Sequence, residues 1–234
     1  MTTCREEACN AAYQLVSEKR NRTGYRFVKR ALDIVISLTA LILLFVPMMI
    51  IALIIRLESR GQALFKQRRI GLLGKEFTIY KFRSMYLSAP RDTATNDLED
   101  AKIHITRVGA FLRKTSLDEL PQLINILRGD MSLIGPRPLI VSEDIIHVLR
   151  KEAGVYSIRP GITGWAQING RDCVDADTKV ALDIEYLRNF SFAMDFRILL
   201  RTMSVVITGD GFSEGQHSDP TDANNSCDKN DFAA

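Results

Sequence analysis

The chain of 234 residues has little of what holds stapled or metal-knit folds together. Its four cysteines, Cys4, Cys9, Cys173 and Cys227, show no metal-ligand spacing, and three of them fall in polar end segments. Neither a disulfide framework nor a zinc site is indicated. The three histidines, His104, His147 and His217, are scattered and carry no assigned chemistry. There is no internal repeat. No recognition motif accompanies the basic residues, so nucleic acid is not expected as a partner. The most consequential absence is of charge, for no charged residue occurs from Ile34 to Ile55.

That run is long enough to cross a hydrocarbon core of ~30 Å at ~1.5 Å per residue. It stands too far from Met1, and is too densely flanked by charge, to be an ordinary cleaved signal peptide. The default reading is a transmembrane helix. Two features oppose it. Pro47 lies inside the run, where it removes a backbone donor and crowds the preceding turn. Positive charge also flanks both ends: Lys19, Arg20, Arg22, Arg26, Lys29 and Arg30 before, then Arg56, Arg60, Lys66, Arg68 and Arg69 after. A spanning segment concentrates such charge on one side. Composition admits both a kinked spanning helix and a helix that bends at Pro47 and returns to the same face.

The formal net charge of +3 conceals an asymmetry. The last two dozen residues are acidic, with Glu214, Asp219, Asp222, Asp228 and Asp231 against Lys229. The remaining body is basic, and its charge beside the apolar run reads as contact with anionic lipid headgroups on the cytoplasmic face. Residues 1 to 24, and the Ser-, Asp- and Asn-rich segment from Ser213 onward, read as disordered tails.

Beyond the apolar run the pattern is that of a mixed α/β domain. Ala63-Leu64-Phe65 and Phe77-Thr78-Ile79-Tyr80 are strand-like, and the turn Gly71-Leu72-Leu73-Gly74-Lys75 between them predicts a hairpin. After Asp118, Leu120, Leu123, Ile124 and Leu127 form a helical stripe. Residues 178 to 189 predict another helix. Asp195 is expected to cap a third, with Phe196, Leu199, Leu200, Met203, Val206 and Ile207 on one face and Gly209 at its end. Such a face packs on a core or lies in a lipid interface.

Three motifs carry chemistry. In the first, Asp118 and Glu119 stand side by side, and Ser116 with Glu119 matches the Ser-x-x-Glu capping box, which is the ordinary reading of such acids. Pro121 belongs to a first helical turn and places the helix start at the dyad. Nearby unpaired N–H groups would favour ionised Asp118, which can attack phosphorus while its neighbour holds Mg²⁺. Two such close charges call for a cation. The second motif is Gly135-Pro136-Arg137-Pro138, whose prolines restrict the backbone and present a guanidinium suited to phosphate. Lys81 and Arg83 add cations at a strand end. The third is the stretch from Arg159 to Arg171, whose glycines allow close approach to a ligand. Its Trp165 either stacks on a base or packs in a core.

Taken together, Lys29-Arg30-Ala-Leu-Asp33, the proline-interrupted apolar run, Tyr80-Lys-Phe-Arg-Ser-Met85, Thr115-Ser-Leu-Asp-Glu-Leu-Pro-Gln122, Gly129-Asp-Met-Ser-Leu-Ile-Gly-Pro-Arg-Pro138 and Arg159-Pro-Gly-Ile-Thr-Gly-Trp165 resemble a known family. The chain is similar to the monotopic phosphoglycosyl transferases of the bacterial sugar transferase family, over about Val28 to Gly209, and to its small ExoY-type members that initiate exopolysaccharides. The resemblance implies a helix-rich α/β fold. A proline-broken re-entrant membrane helix and amphipathic interfacial helices would surround a small β-hairpin catalytic domain. Residues 1–24 would be a basic tail, 25–60 a membrane-embedded helix-break-helix, 61–211 the cytoplasmic catalytic domain and 212–234 an acidic tail.

The resemblance further implies transfer of a sugar 1-phosphate from a UDP-sugar to undecaprenyl phosphate, with release of UMP. Asp118 would be the nucleophile and Glu119 the Mg²⁺ residue. Arg113 and Arg137 would stand at the phosphates, with Lys81, Arg83 and Arg159 as further substrate-binding cations and Pro47 as the membrane break. Galactose is the first expectation for the sugar and glucose the second. The enzyme would work at the cytoplasmic face of the bacterial inner membrane, among anionic lipids, ahead of downstream glycosyltransferases. Two rivals remain at this point: a catalytically silent membrane scaffold for polysaccharide assembly, and a glycosyltransferase that releases UDP.

Overall fold

The computed structural model describes residues 23–89, 101–169 and 176–208. The expected tails therefore lie almost wholly outside the described residues.

One helix, α1 (Thr23–Glu58), contains the whole uncharged run. It continues through Pro47 as a single element, so the helix-break-helix expected over 25–60 is not seen as two helices. Proline deletes one donor, and the bonds on either side can still propagate the helix. A narrow stripe of α1 faces the rest of the chain: Asp33, Ser37, Ala40, Leu41, Met48, Ile51, Ala52 and Ile55. The remaining circumference is exposed and apolar, including Ile42, Leu43, Phe45, Val46 and Met49. By length and composition this helix can cross a membrane. Such exposed apolar surface on a membrane-sized helix marks membrane association.

Both ends of α1 are tied to the same domain. Near its start, Lys29 pairs with Asp195, Arg30 donates to the carbonyls of Ile126 and Leu127, and Asp33 accepts from Leu133 N–H. At its end, Glu58 accepts from Val108 N–H, and Arg83 donates to the carbonyls of Ile55, Ser59 and Arg60.

The hairpin follows as predicted, with β1 (Leu64–Ile70) and β2 (Glu76–Phe82) antiparallel and Leu64 opposite Phe82. Both strands run longer than the apolar runs, because the charged outer positions Lys66, Arg68 and Glu76 complete the ladder. Leu73 takes a left-handed conformation in the turn, at φ 58°. A short helix α2 (Ala101–His104) leads to α3 (Arg107–Lys114), which Thr106 caps by accepting from Gly109 N–H at 2.9 Å. A 3₁₀ turn (Leu117–Glu119) precedes α4 (Gln122–Arg128).

Helix α4 keeps Leu123 of the predicted stripe in the core, and Leu120 just before it packs beside Phe82 and Leu112, but the buried face is wider than the stripe. Gln122, Leu123, Asn125 and Ile126 are its buried residues. Asn125 is drawn in because its amide binds the backbone of β2: it accepts from Tyr80 N–H and donates to Thr78 O. Leu123, Ile126, Ile79 and Met131 form one core with α1.

Next, β3 (Ser132–Ile134) pairs in parallel with β4 (Gly161–Thr163), the crossover containing α5 (Asp144–Glu152). The glycines here pack backbone closely against backbone. A Cβ on Gly164 would lie 2.1 Å from Gly135 O, and one on Gly161 would lie 2.1 Å from Gly135 N. Trp165 opens the short helix α6 (Trp165–Asn169) and is packed in the core, its indole N–H donating to Glu185 at 2.8 Å.

Two helices complete the domain: α7 (Ala176–Arg188), close to prediction, and α8 (Phe192–Thr208). Helix α8 begins before Asp195, which therefore does not cap it. Ser191 Oγ accepts from Met194 N–H at the helix start. Asp195 is instead buried, accepting from Tyr25 and Tyr186 hydroxyls at 2.6 and 2.8 Å and pairing with Lys29. Met194 and Ile198 face the core, while Phe196, Leu199, Leu200 and Met203 are exposed.

Candidate active site

The hairpin, the 3₁₀ turn and the Pro-Arg-Pro segment converge on Glu119. Ser116, just before the turn, is left-handed at φ 56° and makes no capping bond, so the predicted capping box is not formed. An N-cap needs extended backbone at that position. The left-handed residue instead turns the chain so that Glu119 faces β2. There Lys81 Nζ lies 2.8 Å from Glu119 Oε1, and Arg137 Nη1 lies 3.7 Å from the same oxygen.

These cations decide how the dyad shares its charge. Burial alone would raise Glu119, but Lys81 and Arg137 overcome it and hold the carboxyl at about 2. Asp118 is 8% exposed, and burial raises it to about 6, with Lys81, Arg113 and Arg137 offsetting only part of that cost. Exposed helix N–H groups were expected to favour ionised Asp118; burial outweighs them, because the acid sits in a short 3₁₀ turn and not at an open helix end. The cation needed by two adjacent carboxylates is supplied first by the protein's own side chains.

A shallow, open cleft lies beside the dyad, lined by Arg69, Lys81, Glu119, Gln122, Arg137 and Gly161 among others. Asp118 is one residue along from this wall. Arg113, on the last turn of α3, donates from Nε to Ser84 Oγ at 2.7 Å and stands close enough for its charge to act on Asp118.

Two predicted cations are placed elsewhere. Arg83 is buried and closes the C-terminal end of α1, including a 2.8 Å bond to Ser59 Oγ. Arg159 donates to Gly129 O at 2.8 Å, at the far end of α4 from the dyad. Burial and the neighbouring Arg30 lower its pKa.

One cation was misread. Arg69, grouped in sequence with lipid-facing charges, turns into the cleft, donating to Gln67 Oε1 and to Pro138 O. Burial and Arg137 lower its guanidinium to about 10. Strand alternation relative to Arg68 was the available signal, because neighbours on a strand face opposite sides. Gln122, which hydrogen-bonds Glu119, had no signal beyond its place after the dyad.

Magnesium was expected at Glu119. No group of three or more His, Cys, Asp or Glu able to hold a metal occurs among the described residues. Mg²⁺ commonly takes one or two carboxylates and completes its shell with water and substrate phosphate. The Asp118–Glu119 pair would supply the carboxylates of such a donor set.

A buried aspartate of raised pKa, an ionised glutamate paired with lysine, and nearby arginines, in a domain packed on a membrane-sized helix, suit a membrane-associated site for phosphate chemistry. The comparisons agree. Residues 24–209 match the model of the bacterial sugar transferase family, and the chain belongs to that family. It is 40% identical over 190 residues to the uncharacterized sugar transferase EpsL of Bacillus subtilis, covering 81% of this chain and 92% of that protein. It is 42% identical over 200 residues to the undecaprenyl-phosphate galactose phosphotransferase of Salmonella typhimurium, covering 80% of this chain and 42% of the relative. With the UDP-glucose:undecaprenyl-phosphate glucose-1-phosphate transferase of Caulobacter vibrioides it shares 43% over 191 residues, 78% of this chain and 70% of the relative. The chain thus spans most of EpsL but less than half the length of several other curated relatives it matches.

Proposed function

We propose that this chain is a polyprenyl-phosphate phosphoglycosyl transferase, moving a sugar 1-phosphate from a UDP-sugar to undecaprenyl phosphate. The observation that carries the reading is the buried Asp118 beside Glu119, with Lys81 Nζ 2.8 Å and Arg137 Nη1 3.7 Å from the Glu119 carboxylate. A raised carboxylate is the better nucleophile of the two, and at neutral pH it is still ionised. Asp118 attacks the β-phosphorus, the bond to the α-phosphate oxygen breaks, and UMP departs with that electron pair. A phosphate oxygen of the polyprenyl acceptor then attacks the aspartyl-bound phosphorus, and the Asp118 carboxylate is restored. Arg137 and Arg113 hold phosphate oxygens and absorb developing charge. When bound by Glu119 and the diphosphate, Mg²⁺ adds positive charge at the phosphate oxygens.

Galactose 1-phosphate is the first choice for the transferred group and glucose 1-phosphate the second. Relatives named for each sugar match about equally well, so identity does not rank them. The return of α1 to one membrane face is supported by its two ends gripping one domain. The exposed face Phe196, Leu199, Leu200 and Met203 supports α8 lying in the lipid interface, at the cytoplasmic side of the inner membrane. Anionic lipids there meet the basic flanks, and the product passes to downstream glycosyltransferases.

The test is UMP release by detergent-solubilised protein from a panel of UDP-sugars, with Mg²⁺ and with or without undecaprenyl phosphate. Acceptor-dependent UMP from one sugar supports the reading and names the donor. Release of UDP would make the chain a glycosyltransferase. No nucleotide from any sugar, in folded protein, would leave the scaffold as the better account.

A further inference from the structure

The backbone around Arg137 is held through five consecutive carbonyls. Pro136 O accepts from Gly161 N–H at 2.9 Å, and Arg137 O from Arg150 Nη1 at 2.6 Å. Pro138 O accepts from Arg69 Nη1 at 3.0 Å, and Leu139 O from Ile70 N–H at 3.1 Å. Ile140 O lies 2.7 Å from His147 Nε2. Two prolines deprive this segment of N–H donors, so carbonyls must provide most of its anchorage. Arg137 is the exposed residue in an otherwise largely buried run from Ile134 to Ile140.

The contact at Arg137 O itself depends on a buried ion pair. Arg150 on α5 and Asp183 on α7 are 2.6 Å apart, with side chains 3% and 1% exposed. An apolar pair of similar volume commonly serves stability as well as a buried ion pair does. What an apolar pair cannot do is donate a hydrogen bond to Arg137 O. Asp183 orients the fork of Arg150, and the fork fixes the peptide that carries the phosphate-facing arginine.

We infer that Arg150, oriented by Asp183, is a positioning residue for this site: it fixes the Arg137 backbone and thereby the reach of the Arg137 guanidinium over Glu119 and the cleft. The inference rests on the transferase reading. It assigns a task to two residues remote in sequence from every motif of the site.

The test is a double-mutant cycle in the UMP-release assay, with thermal unfolding of each variant measured in parallel. Arg150→Met and the repacked pair Arg150→Met/Asp183→Leu are made with Arg137 intact and in an Arg137→Ala background. With Arg137 intact, kcat/KM should fall about 10- to 100-fold, the scale of a small misplacement of a reacting group. The repacked pair should nevertheless unfold at or near the wild-type temperature. In the Arg137→Ala background the same changes should cost no more than about 2-fold, because the interaction they support is already gone. Should the pair fail to fold, Arg150→Leu/Asp183→Asn is put through the same cycle, since it removes the donor to Arg137 O without leaving a buried carboxylate unpaired. Full kcat/KM in a folded Arg150 variant, or an equal loss in both backgrounds, would overturn the inference. Absence of UMP from wild-type protein would overturn the transferase reading itself, and this one with it.

Discussion

Lys81 Nζ lies 2.8 Å from Glu119 Oε1, with both side chains only 17% exposed. This pair joins the hairpin to the 3₁₀ turn and fixes which member of the dyad carries the low pKa. Its loss has structural and chemical consequences that can be measured separately.

Lys81→Met leaves Glu119 with Arg137 as its nearest cation, at 3.7 Å. A hydrogen bond to a charged group contributes about 1.5–3 kcal/mol, and a loss in that range is expected. Chemical denaturation in detergent would measure it. A change below about 0.5 kcal/mol, the usual range for surface substitutions, would mean that the pair is not formed in solution.

The acid limb of the pH profile should report Asp118. An attacking carboxylate must be ionised, and burial raises this one to about 6. The ionised fraction therefore declines as pH falls through that value, and kcat/KM should decline with it. Lys81 is the leading charge that lowers Asp118, so Lys81→Met should move the limb to higher pH. A limb that stays in place, or moves down, would contradict this electrostatic account.

Asp118→Asn keeps the volume of the side chain and removes the nucleophile. The expected loss in kcat is at least about 10³-fold, with the variant folded and UDP-sugar still retained. Radiolabel from a sugar-phosphate donor should become covalently attached to wild-type protein without acceptor, and not to this variant. Labelling of the variant would place the nucleophile elsewhere.

Arg83→Met tests a residue that sequence assigned to substrate. Its guanidinium binds Ile55 O in the last turn of α1 and the Ser59 and Arg60 carbonyls just after it, so the loss should appear in stability and in protease cutting near Ser59. The KM for UDP-sugar should be unchanged in the fraction that remains folded. A raised KM with normal stability would return Arg83 to the site.

Gly164→Ala should be costly, because its Cβ would meet Gly135 O at 2.1 Å. Overpacking of this kind costs about 1–3 kcal/mol, and backbone cannot yield as a flexible side chain can. Equilibrium unfolding of the variant checks the value. A neutral result would mean that β3 and β4 separate readily.

Much of this protein was legible in one dimension because its signals are local. An uncharged run of membrane length dictates a membrane helix wherever the domain lies. Glycine and alternating residues between 63 and 80 determined the hairpin, since turn chemistry and strand period act over a few residues. Asp118, Glu119, Lys81, Arg113 and Arg137 were readable as carboxylate and cation chemistry, and the structure brings them together.

What only the tertiary structure decided depends on which long-range partner wins each charged group. Arg83 and Arg159 are as cationic as Arg137, yet they donate to backbone carbonyls just past the ends of α1 and α4. Asp195 satisfies the pattern of a helix cap, but two tyrosines and Lys29 draw it into the core. Arg69 reads like any flanking cation until β1 packs and turns it to the cleft. The pKa of Asp118 likewise depends on burial, which no local pattern encodes. Residue type determined which charges could serve phosphate chemistry, and the packing of distant elements decided which of them remained to do it.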